Sequence, residues 1–384
     1  MFFVHTPVSE YVEPWAVPLE KRIKQLFSED RRIAYFYEKP DSSTFRYRVY
    51  NMIQTIHEIN GMSATYFCLE DLDYLNSTLD CIDVLIFCRT RYTAALNHLI
   101  SRAKNKGVKI LFDVDDLVFN SEKTDLILDT LDQNMEQTGA WDHWYAYIGR
   151  IGALLKQCDG CITTNSFLAD QISRFHNTET IVIPNFLNQE QVTISDAIYS
   201  EKLSSNFKRT KHINIGYFSG TPTHNKDFAI TAEFLAKLLK QDERVKLMIV
   251  GYLDLPDVLR TFLDRIEIFP LCDFINLQKV ISLAEINIIP LQNNIFTNCK
   301  SELKFFEASV VGTISIASPT FTYKAAIDHG KNGYLSEDYE WGETLDKAIK
   351  SLDNGTYQKI AEAARYDSLN RYAWYNQKHL FGKI

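Results

Sequence analysis

The sequence predicts an α/β protein of two doubly wound, Rossmann-like domains with an interdomain cleft. Three observations predict it. Short apolar runs alternate with helix-length segments carrying apolar residues at three- and four-residue spacing, as in parallel sheets covered on both faces. The alternation fades after Asn185 and restarts at His212. The length, 384 residues, suits two domains of ordinary size.

Taken in order, residues 1–30 form an arm with prolines at 7, 14 and 18 and an amphipathic piece from Leu19 to Phe27. Strands are then expected at Arg32–Tyr37, Ala64–Cys68, Cys81–Cys88, Val108–Asp113, Gly160–Thr164 and Thr180–Pro184. Helices are expected at Phe45–Ile56, at Tyr92–Lys106, within Lys123–Gln157 and at Ser166–Phe175. Gly61 and Gly107 stop two of these helices. Asn185 to about Thr210 is polar and weakly patterned, which suits a linker. Strands resume at His212–Phe218, Val245–Gly251, Ile266–Pro270, Ala284–Pro290 and Thr313–Ala317. Helices lie between them, at Phe228–Lys240, Pro256–Leu263 and Asn276–Leu283, and the stretch Asn298–Gly312 starts polar and then reads as a short helix with Leu303, Phe306 and Val310 on its apolar face, ended by Gly312. Two more, Trp341–Leu352 and Tyr357–Asn370, follow. The expected division is an arm (1–30), a first domain (31–205 with about 368–384) and a second domain (206–367).

Composition limits the function. Hydrophobic residues at 46% and charged residues at 23% describe a globular chain, and no run of 18 or more apolar residues predicts a membrane-spanning helix. The first residues lack the basic and apolar regions of a secretory signal. A net charge of −8 argues against a nucleic-acid partner. Seven cysteines, scattered through apolar segments, read as reduced thiols of a cytoplasmic protein. Cys158 and Cys161 have redox or metal spacing, but no second pair accompanies them, so they read as buried thiols.

In open parallel sheets ligands bind at the carboxyl ends of strands. After the strand ending at Phe218 come Ser219, Gly220, Thr221, His224 and Lys226, small and basic residues before a helix N-terminus, which suit a phosphate or form an ordinary capped strand-to-helix loop. After Pro290 a loop rich in asparagine leads through Asn298, Lys300, Ser301 and Glu302 into a short helix carrying Glu307. A carboxylate beside that apolar face needs a partner, either Lys304 or Lys300, or hydroxyl groups of a ligand. In the first domain Asp113, Asp115 and Asp116 follow a strand as a metal site, a wall contacting acceptor hydroxyls, or a solvated turn. Arg46 and Arg48, two residues apart, do not share a helical face well, so one is expected to face the cleft and the other solvent.

Three stretches, Ile215–Asp227, Leu247–Gly251 and Lys300–Gly312, together resemble family-4 glycosyltransferases of the two-domain GT-B fold, the bacterial polysaccharide type in particular. The approach to the linker, Thr163–Ser166 and Ile181–Asn185, is similar too. The resemblance implies a nucleotide-sugar donor held by the second domain and a glycan or lipid-linked saccharide acceptor on the first, with Arg46, Arg48, Asp113, Asp115 and Asp116 on the acceptor side. Lys226 would pair with the donor diphosphate, with Ser219, Gly220, Thr221 and His224 close by. Glu307 matches the second glutamate of the E-x7-E motif and would bind ribose hydroxyls. Cys299 stands where that motif has its first glutamate, so Asn298, Lys300, Ser301 or Glu302 would replace it near the sugar. Leu271–Phe274, with Cys272, would border the base. Lys226, Glu307 and Lys300 would carry the catalysis, a retaining transfer with no metal and no other cofactor. The setting implied is bacterial surface polysaccharide synthesis in the cytoplasm, at the inner face of the membrane where the acceptor is lipid-linked. A nucleotide-sugar epimerase or phosphorylase on this fold and a degenerate glycan-binding scaffold are the competing readings.

Overall fold

The structure is a computed structural model that describes residues 1–134, 137–220 and 223–384. Two six-stranded parallel sheets carry it. The first contains β1 (Arg31–Phe36), β2 (Met62–Phe67), β3 (Val84–Cys88), β4 (Lys109–Val114), β5 (Gly160–Thr163) and β6 (Thr180–Val182), in the order β2-β1-β3-β4-β5-β6. The second contains β7 (Ile213–Ser219), β8 (Val245–Gly251), β9 (Ile266–Phe269), β10 (Ile286–Ile289), β11 (Ile314–Ala317) and β12 (Tyr334–Leu335), in the order β12-β11-β10-β7-β8-β9. β3 is buried at every position, which explains its unbroken apolar run. In each sheet the strand order reverses beside the first strand, between β1 and β3 and between β7 and β10, and such reversals open a crevice at the carboxyl ends.

Several expectations change. The segment read as a linker is a helix, Gln189–Ser204, opened by a reciprocal Asn188–Gln191 capping box. It packs on the second domain: Ser195 Oγ donates to Gln278 Oε1 (3.1 Å) and Lys202 Nζ to the Gly312 carbonyl (3.3 Å). The chain therefore reaches the second domain before residue 205. The expected long helical region is two helices, Thr124–Thr130 and Ala140–Leu155. Pro256–Leu263 is a 3-10 segment, Asp257–Arg265, and the two-residue β12 was not anticipated. The first-domain helix opens as a π-helical turn, Arg46–Tyr50, before continuing as Asn51–Ile56.

The domains share an apolar core. Phe45, Tyr47 and Ile183 of the first domain and Phe274, Phe305, Phe306 and Tyr323 of the second belong to one cluster, and Phe381 and Ile384 at the end of the chain return to it. The N-terminal arm also spans both domains. Phe2 packs against Phe207 and Tyr357, Asn276 Nδ2 donates to the Ser9 carbonyl, and Trp15 stacks on Phe274 while meeting Phe45 and Tyr50 edge-on. All seven cysteines are free; Cys158 and Cys161 are buried in the first domain.

Candidate active site

The crevice between β7 and β10 is built by their two following loops. Asp227, in the first turn of the helix Asn225–Gln241, ties them together: Oδ1 accepts from the Gln292 backbone N–H (3.0 Å), and Oδ2 lies 3.0 Å from His224 Nδ1. Burial pushes the Asp227 carboxyl up, but the bonds from His224 and Gln292 outweigh it and hold the group below its ordinary range. For His224, burial drives the imidazole down to about 4, and Lys304 and Lys300 add to the effect. The ring is therefore neutral at pH 7, with Nδ1–H donating to Asp227. Gly220 has open space where a Cβ would stand, so its backbone is approachable. Thr221 lies outside the described residues.

Two lysines face this crevice. Lys304, in the helix Leu303–Ser309, lies with its ammonium 5.3 Å from the centre of the Tyr217 ring. Burial brings its pKa down to about 8, against the pull of Asp227, and Lys300 lowers it further. The Lys300 ammonium sits 4.7 Å from the centre of the Phe296 ring. Among the described residues neither lysine is within ion-pair distance of a carboxylate. Two mutually repelling cations at a strand switch point concentrate positive charge there, which suits an anion. The sequence alone offers Lys304 only as a partner for Glu307. Its place among the crevice residues depends on β7 and β10 being neighbours, which spacing alone does not show.

Glu307, 4% exposed, takes neither lysine as a partner. Its Oε1 accepts from the Tyr47 hydroxyl, from Gln191 Nε2 (3.2 Å) and from Arg46 Nη2 (3.3 Å). These partners come from the first domain and from the helix Gln189–Ser204, so the carboxylate joins three parts of the chain. Arg46 also lies over the rings of Tyr47 and Phe274, at 4.1 and 4.9 Å.

The acceptor-side expectations divide. Arg48 and Asp113 form a bidentate pair (2.8 and 3.0 Å) with both side chains at 0% exposure, so neither lines the cleft. Burial pushes the Asp113 carboxyl up to about 6 against the guanidinium's pull. Arg46 and Arg48 are both buried: one reaches the second domain and the other stays in the first, and neither faces solvent. Asp115 accepts from Thr44 Oγ1 (3.0 Å) and lies 3.4 Å from Arg89. Asp116 Oδ1 is buried and has no hydrogen-bond partner among the described residues. Burial pushes that carboxyl up, while Lys300 and Arg89 pull it back. Among the described residues no group of three His, Cys, Asp or Glu side chains converges as a metal site.

Other expected residues point elsewhere. Lys226 Nζ is held by Asp129 Oδ1 (2.7 Å) and by the Asp129 carbonyl (2.9 Å), on the first domain's helix Thr124–Thr130. Asn298 is used within its loop, donating to Asn293 Oδ1 (3.0 Å) and accepting from the Phe321 N–H (2.7 Å). Burial pushes Glu302 up, and it faces Tyr372 instead of the lysines. Ser301 Oγ is 3.5 Å from Glu302. Cys272 lies in the loop before the helix Phe274–Leu283, its thiol near the Pro270 carbonyl (3.4 Å). Cys299 is sealed in a first-domain apolar cluster with Phe296, and its carbonyl accepts from Asn165 Nδ2 (2.9 Å).

Residues 213–354, within the second domain, match the family described as Glycosyl transferases group 1. No curated protein matches the chain. Among solved structures, Anabaena HepE in complex with UDP and glucose superposes with a TM-score of 0.60 at 12% identity, over 91% of this chain and 98% of that one. A glycosyltransferase from Rickettsia africae gives 0.62 at 13%, over 93% and 98%. Sucrose-phosphate synthase from Thermosynechococcus elongatus gives 0.60 at 13%, over 91% and 97%. The fold is GT-B.

Proposed function

We propose that the chain transfers a sugar from a nucleoside-diphosphate sugar to a glycan or lipid-linked saccharide. The observation that carries this reading is the pair Lys300 and Lys304, which face the β7–β10 crevice with no carboxylate within ion-pair distance among the described residues. A diphosphate supplies the anion they lack. The match over residues 213–354 and the UDP held by HepE support a donor of this class.

In this reading the diphosphate rests on Lys300, Lys304 and the approachable backbone at Gly220. The glycosidic C1–O bond to the diphosphate breaks and a new C1–O bond forms to an acceptor hydroxyl, whose proton passes to a diphosphate oxygen on the same face. Retention follows, and the lysines stabilise the charge that grows on the leaving group. No further cofactor is needed for that charge. Glu307 Oε1 already holds three donors, which leaves Oε2 for a ribose hydroxyl. The buried Asp116 Oδ1, which has no hydrogen-bond partner among the described residues, would receive an acceptor hydroxyl only once the cleft opens to it. Lys226 joins the donor site only where its pairing with Asp129 opens. Synthesis of bacterial surface polysaccharide at the inner membrane face remains the setting we propose; among the described residues no helix is long and apolar enough to cross a membrane.

Titration calorimetry with UDP tests the donor site. Lys304→Met and Lys300→Met should each weaken binding about tenfold or more, the scale of one charge-assisted contact. Wild-type affinity in both variants rejects the reading. A second reading, a non-catalytic binder, draws on Cys299, buried where an acid is expected. UDP release from UDP-sugars without acceptor would eliminate it.

A further inference from the structure

The carboxyl ends of β10, β11 and β12 enclose another cavity, of about 180 Å3, on the opposite flank of β10 from the lysine crevice. Two apolar residues, Leu291 and Pro319, share its lining with the hydroxyl, amide and carboxylate groups of Ser318, Thr320, Asn293, Glu337 and Asp338 and with the Tyr339 ring. Thr320 is at 0% exposure and stands at the N-cap of the helix Phe321–Ala326, yet its side chain makes no capping bond. Among the described residues its buried Oγ1 has no hydrogen-bond partner. A threonine at an N-cap ordinarily spends its oxygen on the helix, and a buried hydroxyl left unpaired is unfavourable. Ser318 Oγ accepts from the Leu291 N–H (2.9 Å), which leaves its proton to donate. Among the described residues Glu337 and Asp338 form no ion pair. Tyr339 is 78% exposed, its ring open to a ligand.

We infer that this cavity binds one ring of a neutral saccharide. Its size admits a ligand smaller than a nucleotide, and its polar groups match a ring of hydroxyls. Neighbouring hydroxyls donate to Glu337 and Asp338, the Thr320 and Ser318 hydroxyls complete the set, and the Tyr339 ring offers an apolar face with a polar tip. Two carboxylates repel phosphate and uronate, so the cavity discriminates against the diphosphate that the crevice takes. The identity of this ring as part of the acceptor, and hence of the acceptor as an uncharged sugar here, rests on the glycosyl-transfer reading. The saccharide site itself does not.

Saturation-transfer NMR on the full chain tests it, with glucose, galactose, mannose and N-acetylglucosamine as neutral probes and glucuronate as the charged one. At least one neutral sugar should give a signal, reduced fivefold or more by Tyr339→Ala, an exposed change that leaves the fold intact. Glucuronate should respond more weakly than glucose, and the gap should close in Glu337→Gln/Asp338→Asn. Silence from all four neutral sugars, or signals indifferent to both variants, overturns the proposal. The UDP-induced rise in Tm should be equal in wild type and Tyr339→Ala. A wild-type chain that binds a neutral sugar but not UDP upholds this site and removes the donor reading.

Discussion

Lys304 concentrates the chemistry at the scale of the residue. Its ordinary pKa of 10.5 falls to about 8, chiefly through burial. The ammonium is therefore charged below pH 8 and lost above it. If it holds a diphosphate, UDP affinity should fall about tenfold between pH 7 and pH 9, and the profile of Lys304→Met should be flat in that range, both read by calorimetry. The sign for stability is opposite. Between pH 8 and 10.5 the unfolded chain binds the proton that the folded chain has given up, so this group makes stability rise with pH across that window. A lysine followed by two phenylalanines was legible as helix. Its neighbours were not: Glu307 meets Arg46 and Tyr47 from 261 and 260 positions away, a distance that local periodicity does not span.

Among the elements, the helix Leu303–Ser309 and its exit were the most legible. Gly312 was expected to end the helix, and it lies beyond it with φ of +70°, ahead of β11. A Cβ there would stand 3.1 Å from ring carbons of Tyr199 and 3.2 Å from Phe207. Gly312→Ala should cost about 1–3 kcal/mol, from a disfavoured backbone region and crowding together, measured as a lower urea midpoint with unchanged slope. The helix Gln189–Ser204 was illegible for a physical reason. Its inward residues include Gln191, Ser195 and Lys202, which bury polar groups against polar partners, so no apolar stripe marks its face. Arg46 and Arg48 misled through the opposite assumption: a π-helical turn and two buried carboxylates give both guanidinium groups an inward partner.

For the whole molecule, the two sheets were readable from their apolar runs, because a strand covered on both faces must be apolar throughout. How the domains close on each other was not, since it depends on side chains far apart in sequence. Several polar contacts cross the boundary: Glu307 with Arg46 and Tyr47, Lys226 with Asp129, and Asn165 with the Cys299 carbonyl. The Lys226 pair is exposed and is worth at most about 1 kcal/mol, while the Glu307 contacts are buried and count for more. Lys226→Ala should therefore leave the radius of gyration from small-angle scattering unchanged, whereas Glu307→Ala should enlarge it. An unchanged radius in both variants would show that the apolar contacts alone hold the closed form.

Trp15 lies at 2% exposure with its ring against Phe274 of one domain and against Phe45 and Tyr50 of the other. Separation of the domains strips at least one wall from this indole and admits water to it. With Trp141, Trp144, Trp341 and Trp374 replaced by phenylalanine, the emission of Trp15 would report any such separation with no added dye: red-shifted where the domains part, blue-shifted where they stay closed.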